Sequence, residues 1–223
     1  MVPAAFVDNR FGRPLIHGSR RGAILYAGAM LRPDYPIRTA RLDLRPFTPG
    51  DFEDLYAYHS RPDVARYLLW EERDRAQARE ALERKTRQSA LDDEGQALVL
   101  AVVWPQVGRV VGEVNLEWRS RQHRQGEIGF VFNPDYHGNG LATEAAEAML
   151  RLGFDDLGLH RVFGRCDARN LASARVMERL GMRREAHFVH NEIFKGEWGE
   201  ELVYAMLDQE WKARRVAEGP TDR

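Results

Sequence analysis

The sequence predicts an α+β (mixed α/β) fold in which helices flank a mostly antiparallel sheet of six to seven strands. Three observations predict it: helix-forming segments come early, strand-like segments follow in series, and one strand–loop–helix–strand unit lies in the middle. A length of 223 residues suffices for one substantial core. We therefore predict one domain at residues 37–211, after an N-terminal extension or arm (1–36) and before a C-terminal tail (212–223).

The early segments are predicted to form one strand and three helices. The strand is "IRTARLDLRPF". A helix then begins in "TPGDFEDLYAYH", where Thr48 and Asp51 make a capping box and Pro49 takes the first helical position. Ser60 and Asp63 repeat the capping pattern in "SRPDVARYLLW", and "DRAQAREALERKTRQSALDD" is a third, charged helix.

The later segments are predicted to complete the sheet. "QALVLAVVW", "RVVGEVNLEW" and "GEIGFVFN" indicate an antiparallel meander. A glycine-containing loop, a helix and the strand "RVFGRC" follow. A second helix, "NLASARVMERLG", has Asn170 at its N-cap and Gly181 just past its end. "AHFVHNEIF" and "ELVYAMLDQEW" are predicted to be the last two strands.

Charge and cysteine content narrow the function classes. The 33 Lys and Arg residues balance 34 Asp and Glu residues, which gives no reason to expect a nucleic-acid or membrane-surface partner. A single cysteine, Cys166, indicates a buried structural thiol in a reducing compartment, so we expect a cytoplasmic protein. The segment "SRRGAILYAGAM" starts too late and is too short in its apolar run for a signal peptide. The bound molecule must therefore be sought in local motifs.

The loop in "DYHGNGLATEAAEAM" carries the first such motif. A dinucleotide fingerprint needs a third glycine where Thr143 stands, and a P-loop needs a lysine that is absent here. Two interpretations stay open. Backbone N–H groups at the start of the helix could surround a diphosphate, or Gly138 and Gly140 could simply make a tight turn.

A longer run resolves this choice by resemblance. "GEIGFVFNPDYHGNGLATEAAEAMLRLGFDDLGLHRVFGRCDARNLASARVMERLGM" resembles the GCN5-related N-acetyltransferases (GNAT), in the branch that contains the ribosomal-protein N-terminal acetyltransferases. "TARLDLRPFTPGDFEDLYAYHSRPDVARYLLW" and "GEWGEELVYAMLDQEW" extend the resemblance over residues 37–211. It implies a GNAT-type sheet, acetyl-CoA as co-substrate without a metal, and direct acetyl transfer to a primary amine, foremost a peptide or protein N-terminus.

The resemblance also implies the residues that contact acetyl-CoA. The loop would hold the pyrophosphate, although His137 departs from the Gln or Arg of the family pattern. The backbone of the "FVF" strand would bond pantetheine where neighbouring strands splay. Arg175 would meet the 3′-phosphate, unless it belongs to a solvated face. The implied contacts are Phe130, Val131, Phe132, His137, Gly138, Asn139, Gly140, Leu141, Ala142, Thr143, Asn170, Ser173 and Arg175.

The chemistry needs a proton acceptor for the amine and a partner for the departing thiolate. Glu127 is the first candidate base because it shares a strand with the pantetheine contacts, and Glu113 is the second. Either carboxylate could instead be a solvated charge. Met177 stands where many family members have a proton-donating tyrosine, so Ser173 is the candidate thiolate partner.

The acceptor amine is predicted from the pKa of its ammonium form. An α-amine titrates near 7.7–8.0 and a lysine near 10.4, so an α-amine loses its proton more readily to a modest base. Trp70, Trp118 and residues 187–198 are the predicted acceptor walls. The alternatives are a non-catalytic CoA-binding module, an acetyltransferase for small amines, and an RNA-associated protein, and a homodimer is left open.

Overall fold

The computed structural model describes residues 30–218, which form one eight-stranded sheet with six helices. The strands are β1 (Ile37–Arg38), β2 (Asp43–Pro46), β3 (Ala97–Trp104), β4 (Arg109–Ser120), β5 (Gln125–Phe132), β6 (Arg161–Asp167), β7 (Arg183–Phe194) and β8 (Glu197–Leu207). The helices are α1 (Phe52–His59), α2 (Pro62–Ala65), α3 (Arg75–Thr86), α4 (Leu141–Arg151), α5 (Leu171–Arg179) and α6 (Asp208–Glu218).

The sheet confirms the predicted fold class. Its strand order is β1-β2-β3-β4-β5-β6-β8-β7, and every pairing is antiparallel except that of β5 with β6. The strand count exceeds the prediction because the first predicted strand is broken. Leu42 N donates to Thr39 Oγ1 and Thr39 N donates to the Leu42 carbonyl, which closes a tight turn between β1 and β2.

Helices cover both faces of the sheet because its strands alternate between two apolar surfaces. On one face α4 and α5 bury Met149, Leu150 and Met177 against the sheet. On the other face α1 and α3 bury Leu55 and Leu82. The active-site cleft described below therefore has a helix layer on each side.

The helix starts were predicted with mixed success. The capping box of Thr48 and Asp51 is present, although it opens a 3₁₀ turn that leads into α1. The predicted cap at Ser60 was wrong. Arg61 is the N-cap of α2 and gives no side-chain cap, and Ser60 Oγ donates instead to the Tyr56 carbonyl at the end of α1.

The two ends of the domain differ from the prediction. The last strand was predicted to reach Trp211, but β8 ends at Leu207 and the chain turns into α6. Trp211 is buried because its ring stacks on Phe154 and its indole N–H donates to Asp155. At the other end, residues 30–36 of the predicted extension pack on the domain, since Leu31 is buried and pairs with Leu91. The predicted strand around "AILYA" lies outside the described residues.

Across residues 30–218, no helix is both long and apolar enough to span a membrane.

Candidate active site

The cleft originates where β5 and β6 separate. These parallel strands pair only from Gln125 to Glu127 on β5, opposite Arg161 to Phe163 on β6. Beyond that point β5 pairs only with β4 and β6 only with β8. Backbone groups of β5 from residue 128 onward therefore face a gap in the sheet, as the predicted pantetheine contact requires.

The gap opens into a cavity of about 430 Å³ that collects most of the predicted strand and helix residues. Its lining includes Glu127, Phe130, Val131, Asn170, Ser173 and Met177. The predicted alternation is observed, because Phe130 and Phe132 pack on the α4–α5 face and Val131 packs on the α1–α3 face. The cavity thus crosses the sheet, with α5 on one side and the segment before α3 on the other.

The glycine loop follows β5 and has free hydrogen-bond donors. Gly138 and Gly140 both have left-handed backbones, with φ of +81° and +74°, which glycine adopts at low cost. The six backbone N–H groups of residues 138–143 find no acceptor within the described chain. The Thr143 hydroxyl is buried, and it also lacks a partner there. These donors fit the pyrophosphate of acetyl-CoA at the positive end of α4.

Arg41 holds this loop, and sequence reasoning missed it. Its Nη1 donates to the Asn139 carbonyl at 2.9 Å, while Nε and Nη2 bind Glu144 on α4 at 2.7 Å. A trans peptide points its C=O and N–H in opposite directions, so the Gly140 N–H points away from Arg41. Arg41 lies 98 residues before Asn139 in the chain, so no local motif marks it.

Two other predicted cofactor contacts are His137, which lies at the loop, and Arg175, which is exposed on α5. His137 lies at the loop, where its Nε2 is 3.3 Å from the Phe132 carbonyl at the end of β5. Arg175 is exposed on α5, its Nε donates to the Leu171 carbonyl, and it does not line the cavity. The contact of Arg175 with the 3′-phosphate stays a prediction.

Glu127 lies in the cavity wall between two guanidinium groups. Its Oε1 accepts from Arg165 Nε at 2.9 Å, and its Oε2 is 3.6 Å from Arg119 Nε. That Oε2 is buried and has no hydrogen-bond donor among residues 30–218. Oε2 is therefore the acceptor position of Glu127 that no hydrogen-bond donor of the described chain occupies.

Glu201 on β8 is a second carboxylate that sequence reasoning missed. It lines the same cavity and accepts from Arg165 Nη1 at 3.3 Å. Burial raises the pKa of Glu201, and the nearby carboxylates Glu192 and Glu127 raise it further, against the lowering effect of Arg165. A carboxylate with a raised pKa is a better proton acceptor at neutral pH than an ordinary one.

Glu113 is not available as the second base. Its carboxylate is buried and accepts from Lys85 Nζ at 2.8 Å and from the Tyr58 hydroxyl at 3.2 Å. Burial alone would raise its pKa, but Lys85 and His59 outweigh burial and lower it to about 2. Since burial lowers the pKa of His59 itself, Lys85 supplies the opposing charge at neutral pH. Glu113 therefore stabilises the cavity floor.

The helix α5 presents its first turn to the cavity. Asn170 caps the helix because its Oδ1 accepts from Ser173 N at 3.1 Å, which leaves its amide N–H groups without a partner in residues 30–218. Ser173 and Met177 follow on the same face. Met177 is buried at the point of separation, where a Cβ on Gly164 would lie 2.9 Å from its sulfur.

Cys166 lines the cavity as a buried thiol, and burial raises its pKa to about 12. At neutral pH it therefore stays protonated, as expected of a structural cysteine.

The predicted acceptor walls are only partly correct. Trp70 lines the cavity, and so do Glu192 and Phe194 from the predicted segment 187–198. Trp118 does not, because it is 3% exposed in the core beneath the guanidinium of Arg121. The lining holds seven carboxylates and the guanidinium of Arg165, and Lys85, Arg119 and Arg169 pair with three of these carboxylates from outside the lining. A smaller excess of negative charge therefore remains around the cavity, which attracts cations.

Comparison with known proteins identifies the family. The acetyltransferase (GNAT) domain model matches residues 41–183. The chain belongs to the GNAT family. YnaD, an uncharacterised N-acetyltransferase of Bacillus subtilis, is 34% identical over 178 residues, which cover 78% of this chain and 98% of YnaD. A GNAT-family acetyltransferase from Bacillus anthracis has a TM-score of 0.70 and 32% identity over 78% of this chain and 99% of its own.

A relative with a named substrate is more distant. The spermidine N(1)-acetyltransferase of Escherichia coli (strain K12) is 26% identical over 114 residues, which cover 51% of this chain and 61% of that enzyme. The GNAT protein is therefore an N-acetyltransferase of a family that uses acetyl-CoA, as the sequence predicted. These findings favour an enzyme over a non-catalytic CoA-binding module. Residues 30–218 contain no group of His, Cys, Asp or Glu side chains arranged to hold a metal ion.

Proposed function

We propose that this GNAT enzyme binds acetyl-CoA at the loop 138–143 and along the open edge of β5, and acetylates the α-amine of a peptide or protein N-terminus. The observation that carries the proposal is the presence of two unsatisfied surfaces on one stretch of chain. The loop offers six N–H donors without acceptors in the described chain, and it begins six residues after the end of β5, whose backbone faces the cavity.

Acetyl-CoA supplies the activated acetyl group, and the protein supplies binding, orientation and proton transfer. The remaining excess of carboxylates around the cavity attracts the amine in its protonated form. Glu127 accepts the proton directly or through water, and Glu201 beside it shares Arg165. Ser173 lines the cavity, and in this proposal its hydroxyl hydrogen-bonds the departing sulfur, whereas Met177 has no proton to donate.

The α-amine is preferred because its ammonium form loses a proton more readily than that of a lysine side chain. At pH 7 an α-amine has roughly a few hundred times more neutral form than a lysine side chain. The test uses two matched peptides at pH 7, one with a free N-terminus and a blocked lysine, the other with the blocking reversed. We expect faster acetylation of the free N-terminus. Faster acetylation of the lysine would contradict the α-amine proposal, whereas the assignment of the protein as an acetyltransferase would still hold.

A second candidate acceptor is a small polyamine. Carboxylates outnumber the cations paired with them around the cavity, which favours a ligand with more than one positive charge, and the Escherichia coli relative is a spermidine N(1)-acetyltransferase. Spermidine is therefore included in the same assay at equal concentration. Efficient turnover with spermidine and none with either peptide would select this candidate.

A further inference from the structure

A lysine at the tip of the last hairpin contacts the segment between α2 and α3, part of which lines the cavity. β7 and β8 are joined by Lys195 and Gly196, whose φ values are +51° and +85°, between the paired residues Phe194 and Glu197. Two successive residues with positive φ make a tight, rigid hairpin turn. A non-glycine residue is uncommon in this conformation, so specific contacts are expected to hold Lys195 there.

Those contacts are three hydrogen bonds from one ammonium group. Lys195 Nζ donates to the Ala65 carbonyl at 3.0 Å, to the Trp70 carbonyl at 3.2 Å and to Glu71 Oε2 at 2.9 Å. Three acceptors match the three donors of an ammonium. The carboxylate of Glu71 is 76% exposed, so the ion pair alone contributes little. The two carbonyl bonds are the specific part, and they hold residues 65–71 against the hairpin.

The two segments that Lys195 joins both line the cavity. Trp70 belongs to the segment before α3 and Phe194 to the end of β7. We propose that Lys195 sets the width of the acceptor entrance by holding these segments together, and so selects slender chain ends over folded protein surfaces. This inference deepens the proposed function and rests on it. An extended chain passes between the tied segments, whereas a compact surface is kept away from Glu127.

The test compares two acceptors with the same N-terminal residues. One is a short unstructured peptide, and the other is a compact folded carrier that bears those residues without a spacer. In Lys195→Met we expect the kcat/KM ratio of carrier to peptide to rise about tenfold, which equals about 1.4 kcal/mol. Lys195→Arg keeps the donors. Lys212→Met removes an exposed lysine of α6, and both controls should stay within about twofold of wild type.

A second readout does not depend on activity. Amide hydrogen exchange in residues 65–72 and 190–198 should be faster in Lys195→Met than in wild type and unchanged in Lys212→Met. Unchanged exchange in both segments would overturn the inference. Transfer to both acceptors at an unaltered ratio would overturn it too, while leaving the proposed function standing. If wild type acetylates no amine at all, the proposed function fails and this role of Lys195 fails with it.

Discussion

Glu113 should make the stability of this enzyme depend on pH in acid. Lys85 and His59 lower its pKa from 4.5 to about 2 against the opposing effect of burial. At about 1.4 kcal/mol for each pKa unit, the paired carboxylate contributes about 3 kcal/mol to the free energy of unfolding. Because the folded-state pKa is the lower one, this contribution is complete above pH 4.5 and disappears as the pH falls toward 2.

Urea unfolding at pH 6 and pH 3 measures the effect. About 2 kcal/mol of the Glu113 contribution should be lost between these values in wild type and not in Glu113→Gln. Glu117→Gln is the matched control, because Glu117 lies on the same strand and its side chain is 30% exposed beside one arginine. Glu113 raises the pKa of His59, so Glu113→Gln also changes the His59 titration, and the comparison is repeated in a His59→Asn background where that titration is absent. An equal loss with and without Glu113 in that background would refute the reasoning.

Three further predictions concern binding and catalysis. Gly140→Val places a β-branched residue at φ +74°, costs at least about 1–2 kcal/mol in the loop and should weaken acetyl-CoA binding about tenfold or more in calorimetry. Gly108→Val, in an open turn at φ +65°, should leave that affinity unchanged, and equal affinities would exclude the loop. Glu127→Gln should lower turnover at neutral pH about a hundredfold or more, with a smaller loss at high pH and little change in acetyl-CoA affinity. An unaltered pH–rate profile would move the role to another group or to bulk water. Ser173→Ala should cost more turnover than the volume-conserving Met177→Leu, since only the hydroxyl can donate to sulfur, and the reverse order in steady-state assays would reject Ser173.

The sequence predicted the fold well wherever local patterns determine structure. The meander, α4 and α5 follow from apolar periodicity, and Asn170 marks the start of α5. The sequence predicted the wrong element where tertiary contacts, and not local patterns, determine the structure. α6 was predicted as strand because "LVYAML" runs into it, but packing of Trp211 on Phe154 favours a helix. The break between β1 and β2 depends on hydrogen bonds of Thr39, which no period reveals.

The site was predictable where a motif carries it. The Gly-x-Gly loop and the position of Ser173 have local signatures, and a strand glycine such as Gly129 signals close approach, here to Asn115. Arg41, Glu201 and Lys195 have no local sequence signature. Each acts across tens of residues in sequence, so only the assembled sheet brings it to the loop or the cavity.

β5 and β6 pair over only a short stretch. Acetyl-CoA bound beside this stretch would therefore help to connect the two halves of the sheet. One half, β1 to β5, ends at residue 132, and the other, β6 to β8, begins at residue 161. In the sheet ladder, three residue pairs join β5 to β6. Under the proposed function, acetyl-CoA contacts the β5 edge and α5 together and binds only the folded state. At a hundredfold excess over Kd it would add about 2.7 kcal/mol. The lifetime of the enzyme in the cell would then follow the acetyl-CoA supply.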